Sequence, residues 1–384
     1  MIASAARQPG RSTHAFRRLL GLCLLVALGP AGLAGQQTPG NGSNGSGTDV
    51  PMDPIRARDL YVSNRWEDHP VADYARDTRE KARIDSIYHA VTEGVVDFRR
   101  ITYRSRVGDL TIPAYLFQPL DRRGPHGHAA MIWVHGGVHG NWSHAAWPFV
   151  REAVERGYVV ITPEYRGSTG FGAEHHDAID YGGFDVDDVL TAYDWMVENL
   201  PHVDPGRVGI MGWSHGGLIT ILALTRDRHP LRAGAAIVPV TNLIFRLSWK
   251  GPAYQRLFAT QRDLRGLPFE EREEYVRRSP YYQVDNLRTP LLVHVATNDR
   301  DVDFEESSML IHKLRALKPD LGETKIYVDP DGWGSTVGHS FSRRVDTNTL
   351  ERVDSPAQID SWNRTWTFME DHLRPYEDPS RTRP

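Results

Sequence analysis

The stretch Gly212-Trp213-Ser214-His215-Gly216 places a serine between two glycines, each two residues away. An apolar run, Val208 to Met211, leads up to it, and a second, Leu218 to Leu224, follows it. A strand before and a helix after are the context of a nucleophile elbow, in which the serine sits on a strained turn and the glycines let strand and helix approach closely. A serine hydroxyl is a poor nucleophile until an imidazole takes its proton, and the imidazole needs a carboxylate to fix its tautomer and stabilise its charge. Such partners are expected further along the chain, in the order Ser, Asp, His, on loops that leave later strands. Asp299, in Thr297-Asn298-Asp299-Arg300-Asp301-Val302, follows the apolar run Leu291 to Val295, and His339, in Gly338-His339-Ser340-Phe341, follows Ile326 to Val328. Asp301 competes for the acid role, and Asp299 is preferred because it lies nearer the strand end. A tetrahedral oxyanion also needs backbone donors held ready. The amide after the nucleophile, His215, and one from the loop His135-Gly136-Gly137, Gly137, are the candidates. The chemistry implied is acyl transfer.

These residues converge only if the elements between them stack in register. Short apolar runs at Met131 to Val134, Tyr158 to Thr162, Val208 to Met211, Ala235 to Val238, Leu291 to Val295 and Ile326 to Val328 alternate with helical patterns. Continuous apolar strands separated by helices indicate a parallel sheet covered on both faces. Ile101-Thr102-Tyr103 and Leu110 to Phe117 flank Gly108-Asp109 as an antiparallel hairpin. The fold class expected is α/β, the α/β-hydrolase fold, with a mostly parallel central sheet and helices on both faces. Asp303 and Glu306 form a capping-box pattern, and Ser355-Pro356 caps and opens a last helix. Phe245 to Gln283 is charged and irregular, which reads as an excursion above the sheet rather than a core unit. Trp133 and Trp213 read as core, Trp213 with a place at the pocket floor. Glu174-His175-His176-Asp177 reads as a solvated loop, because adjacent side chains seldom converge on one metal ion. Gly167 to Gly172 reads as a structural loop, since no lysine follows in the position a phosphate cradle needs. No metal and no organic cofactor is expected.

With 40% hydrophobic and 24% charged residues, the chain is an ordinary globular one, and its net charge of -4 excludes the basic balance that nucleic acid or anionic lipid favours. Arg7, Arg11, Arg17 and Arg18 precede the apolar run Leu19 to Leu28, with small residues Gly32 and Ala34 behind it, the pattern of a signal peptide. A secreted or periplasmic protein is expected, with no stable membrane anchor, because the run is shorter than the roughly 20 residues that span a bilayer. Cys23, the only cysteine, would leave with the signal. The expected division is a signal peptide over 1–34, a flexible glycine-rich leader over 35–52, an N-terminal helical extension over 53–97, a catalytic domain over 98–375 and a tail over 376–384.

Further stretches make the resemblance specific: Val134-His135-Gly136-Gly137, Tyr165-Arg166-Gly167-Ser168-Thr169-Gly170-Phe171-Gly172, Val203-Asp204-Pro205 with Arg207, Gly212 to Gly217, and Ser279-Pro280. With the spacing of Ser214, Asp299 and His339, they make residues Ile101 to Leu373 resemble the catalytic domain of the prolyl oligopeptidase family of serine peptidases, particularly its acylaminoacyl-peptidase and dipeptidyl-peptidase branches. The resemblance implies acyl transfer at peptide or ester bonds and puts Tyr165 and Arg166 on the substrate side. It does not extend to the family's N-terminal β-propeller, for which the stretch between Thr48 and Phe98 is too short. Gly137-Val138 stands where the family often has glycine and proline, and His294-Val295 where it often has histidine and glycine. The acidic pair that holds a free amino terminus in dipeptidyl peptidases lies outside the catalytic domain and has no identifiable counterpart here. A serine peptidase is the leading reading, a carboxylesterase on acyl or carbohydrate esters the alternative, and a non-catalytic module on the same scaffold a third.

Overall fold

The computed structural model describes residues 72–379, apart from residues 251, 260, 262 and 333. The expected signal peptide, the leader, the first part of the helical extension and the end of the tail lie outside the described residues.

Among the described residues, eight strands form one sheet in the order β1-β2-β4-β3-β5-β6-β7-β8. They are β1 (Asp97–Arg104), β2 (Thr111–Gln118), β3 (His128–Val134), β4 (Val159–Pro163), β5 (Val203–Trp213), β6 (Gly234–Ile237), β7 (Leu291–Ala296) and β8 (Gly322–Tyr327). The helices are α1 (Tyr74–Thr92), α2 (Trp147–Glu155), α3 (Ala173–Asp177), α4 (Phe184–Asn199), α5 (His215–Leu224), α6 (Leu243–Trp249), α7 (Pro252–Ala259), α8 (Arg272–Arg277), α9 (Pro280–Gln283), α10 (Phe304–Leu317) and α11 (Pro356–Leu373). The hairpin falls where Gly108 and Asp109 turn the chain, both at positive φ. It pairs β1 with β2 antiparallel, Tyr103 opposite Ile112, and β2 also meets β4 antiparallel. The pairings from β4 onward across the sheet are parallel.

Side-chain alternation along the strands explains how one sheet serves two cores. In β3, Ala130, Ile132 and Val134 join α4, α5 and α10 on one face. Ala129, Met131 and Trp133 join α1, α2 and α11 on the other. The fold is therefore the mostly parallel, doubly covered α/β-hydrolase sheet expected from the runs. From β3 the chain moves to β4 on one side and returns past β3 to β5 on the other. Loops leaving β3 and β5 thus open a crevice at the carboxyl ends of adjacent strands, where ligands of such sheets bind.

Two expectations are corrected. Asp303 caps α10 by accepting from Glu305 N, but Glu306 does not reach back to complete a capping box. It is fully buried, accepts from the amides of Thr241 and Asn242, and pairs with Arg246 at 3.2 Å. The segment from Phe245 to Gln283 is not irregular either: it contains α7, α8, α9 and most of α6. Its Phe258 and Tyr275 are fully buried, Phe258 packs on Tyr181 at 4.6 Å, and Arg278 is ion-paired with Asp180. Ser355 caps α11 as expected, its hydroxyl accepting from Gln358 N at 3.3 Å.

Candidate active site

Ser214 joins the end of β5 to α5 with φ of 55° and ψ of -118°, a conformation that costs a non-glycine residue about 1–3 kcal/mol. The surroundings hold it there. Ser214 N donates to Ile237 O at 3.1 Å, and its carbonyl accepts from Leu218 N and Val240 N. A Cβ on Gly212 would lie 2.5 Å from the Gly216 carbonyl, and one on Gly216 would lie 2.4 Å from Val134 O, so strand, helix and the neighbouring β3 meet at distances only glycine allows. The serine stays partly accessible at the mouth of the crevice.

Beyond β7, Asp299 is turned inward. Its Oδ2 lies 2.8 Å from His339 Nδ1, and its Oδ1 accepts from the amides of Asp301 and Val302, each at 2.9 Å. Two backbone donors and one imidazole fix this carboxylate in a single orientation. Asp301 points away; its side chain is 66% exposed, with Lys250 Nζ at 4.0 Å. Of the two acids, Asp299 is the one hydrogen-bonded to His339. Gly338 makes the approach possible, because a Cβ there would lie 2.5 Å from Asp299 N. The loop after His339 reaches the elbow: Trp213 Nε1 donates to Ser342 Oγ at 2.8 Å, and Trp362 Nε1 donates to Ser342 O at 2.7 Å.

Gly137 has φ of 81°, and its amide and that of His215 enter none of the hydrogen bonds among the described residues. His215 opens α5, where helical amides lack intrahelical acceptors. Its imidazole is anchored by Asp185, Nε2 to Oδ2 at 2.8 Å, and by the edge of Tyr181 at 4.0 Å.

Tyr165, expected on the substrate side, is fully buried beneath the glycine loop. Its hydroxyl donates to Gly137 O at 2.7 Å and its ring stacks on His135 at 4.3 Å. Arg166 is a correction of the same kind: it is 3% exposed, and Nε and Nη2 engage both oxygens of Asp188 at 2.8 Å. Both position the site from below and neither is open to a substrate. Trp213 stacks on Trp133 at 5.5 Å and lines a cavity of about 150 Å³ with Gly136 and Arg343. The residues at 174–177 are not the solvated loop expected but lie in α3, with His175 buried; they do not converge, since His175 Nε2 bonds the carbonyls of Glu164 and Tyr165 while His176 bonds Asp177. A larger concavity, about 840 Å³, is lined by Pro290, Leu321 and Gly322 at the opposite, amino-terminal edge of the sheet.

Sequence reasoning missed the network under the glycine loop. Glu164 is fully buried and ion-paired with Lys81 of α1. It accepts from Trp142 N, while Lys81 Nζ donates to Trp142 O at 3.0 Å and His135 Nε2 lies 3.3 Å from the second carboxylate oxygen. Burial pushes the Glu164 carboxyl up, but Lys81 and His135 outweigh it and hold it down to about 2. A lysine in an otherwise charged helix carried no signal of this; only the fold brings residue 81 to residue 164.

Comparison with known proteins fits this geometry. The sequence profile of the prolyl oligopeptidase family matches residues 147–351. The uncharacterized peptidase YuxL of Bacillus subtilis is 29% identical over 264 residues, 68% of this chain and 38% of the relative. The dipeptidyl aminopeptidase BIII of Pseudoxanthomonas mexicana is 29% identical over 254 residues, 65% of this chain and 36% of the relative. The chain thus spans well under half the length of these relatives. Among solved structures, the acylaminoacyl peptidase of Pyrococcus horikoshii superposes with a TM-score of 0.60 at 21% identity, over 75% of this chain and 44% of that one.

Proposed function

Because the chain belongs to the prolyl oligopeptidase family, we propose that it is a serine peptidase that cleaves peptide bonds through an acyl-enzyme on Ser214. The observation that carries the mechanism is the Asp299–His339 pair, 2.8 Å apart, with the loop of His339 tied through Ser342 to the elbow of Ser214. Asp299 holds the proton on Nδ1, which leaves Nε2 as the base. It takes the hydroxyl proton as Ser214 Oγ attacks the carbonyl carbon, and later gives it to the leaving amine. The oxyanion is held by the amides of Gly137 and His215, each preset by glycine conformation or helix start rather than recruited during reaction. Water, activated by the same imidazole, then releases the acid.

The relatives from Bacillus subtilis and Pseudoxanthomonas mexicana are named as peptidases, which favours amide over ester-only hydrolysis. Export is part of the proposal and rests on the arginine-flanked apolar run at the start of the chain. The test compares kcat/KM on an ester and an anilide of one N-acylated amino acid. Ser214-dependent turnover of both is expected; turnover of the ester with none of the anilide would replace the peptidase by an esterase.

A further inference from the structure

Arg343 stands four residues beyond His339 on the same loop, and its side chain is exposed. Gly136 lies between it and the nucleophile: a Cβ built there would meet Ser214 Cβ at 3.3 Å and Arg343 Nη1 at 3.6 Å. The guanidinium therefore borders the reacting serine across one glycine of the loop proposed to hold the oxyanion. It also closes one side of the cavity of about 150 Å³, whose walls include Trp133, Trp142, Phe149 and Trp213.

This cation is unspent. Among the described residues, its side chain makes no hydrogen bond and no ion pair. Asp299 acts on it through space but has both oxygens committed, to His339 and to two amides. Asp301 is the other acid in its field, and its carboxylate faces Lys250. Crowding by protein lowers the pKa of Arg343 by desolvation, with both acids acting the other way, yet arginine stays protonated throughout. The neighbouring arginines differ: Arg344 pairs with Asp331, and Arg352 with Glu152 and Asp354. A planar fork of donors, open to solvent and bordering a reactive serine, matches the geometry of a carboxylate.

We propose that Arg343 binds a carboxylate on the leaving-group side of the scissile bond, so that the enzyme selects peptides whose first released residue carries a negative charge. This rests on the peptidase reading. We take the leaving-group side because Arg343 shares its loop with His339, the group that gives its proton to the leaving amine. Two sources offer that chemistry, the free carboxyl terminus of a single leaving residue and an acidic side chain on it. The first would make the enzyme trim one residue at a time from the carboxyl end; the second would make it cut before aspartate or glutamate.

The experiment measures kcat/KM of the full chain on four peptides cut after one leucine: N-benzoyl-Leu-Ala with a free carboxylate, its carboxamide, N-benzoyl-Leu-Asp-amide and N-benzoyl-Leu-Asn-amide. A charge-assisted contact predicts that at least one acidic member exceeds its neutral partner by about tenfold or more. That ratio should fall to near one in Arg343→Met and to an intermediate value in Arg343→Lys. Because each ratio is taken within one protein, damage to folding does not move it. Preference for the free Ala carboxylate alone assigns the chain terminus, and preference for Asp over Asn alone assigns the side chain. A ratio near one in the wild type, or one that survives in Arg343→Met, overturns the proposal. If the wild type hydrolyses the matched leucine ester but none of the four peptides, the peptidase reading itself fails and the proposal falls with it.

Discussion

At the scale of the residue, two aspartates two positions apart have opposite fates. Asp299 receives two amides and an imidazole, whereas Asp301 keeps 66% of its side chain in water. The account predicts that Asp299→Asn lowers kcat by about 10³- to 10⁴-fold, because an amide cannot hold the same tautomer and charge. Asp301→Asn, measured on the same anilide, should cost less than tenfold, a surface change being worth about 1 kcal/mol or less. The residue types were legible in the sequence, since Ser, Asp and His each follow an apolar run that forms a strand. What the sequence held less firmly was orientation. Tyr165 and Arg166 belong to a stretch shared with the family, yet one supports the glycine loop from beneath and the other is consumed by Asp188.

At the scale of the element, α1 does more than cover one face of the sheet. It lies outside the residues matched by the family profile, and its Lys81 reaches under the glycine loop to Glu164. Removing one partner of a buried pair leaves the other charge uncompensated, so Lys81→Met should lose about 3–5 kcal/mol of unfolding free energy, read by urea denaturation at pH 7. The sign of the pH dependence follows from Glu164. Its folded pKa is depressed from the usual 4.5 to about 2, so its contribution is fully present above 4.5 and is lost as pH falls toward 2. In Lys81→Met, burial is no longer opposed by the lysine, and the acid limb of the stability curve should move to higher pH. An unchanged limb would mean that Lys81 does not hold this carboxylate. None of this was legible, because charges on a helix of mixed character announce a solvated face. Glu306 was misread for a related reason: a capping-box spacing is local, whereas the amides of Thr241 and Asn242 that claim it come from another part of the chain.

At the scale of the whole molecule, the strand order puts β3 and β5 side by side with β4 beyond, so the glycine loop and the elbow leave adjacent strands at the same edge. The parallel core was legible, since its strands are continuous apolar runs. So was the antiparallel hairpin, because Gly108 and Asp109 mark its turn. The four short helices between β6 and β7 were not, since two of them bury Phe258 and Tyr275 against each other and against Tyr181 rather than along one amphipathic stripe. The central claim is that this edge of the sheet activates Ser214 and no other side chain. A fluorophosphonate tests it directly, because it reacts far faster with a serine whose proton is being taken. Peptide mapping by mass spectrometry after labelling should find one adduct, on Ser214, whose formation is lost in His339→Ala. An adduct on a different residue, or none while the wild type still turns over the anilide, would contradict the account.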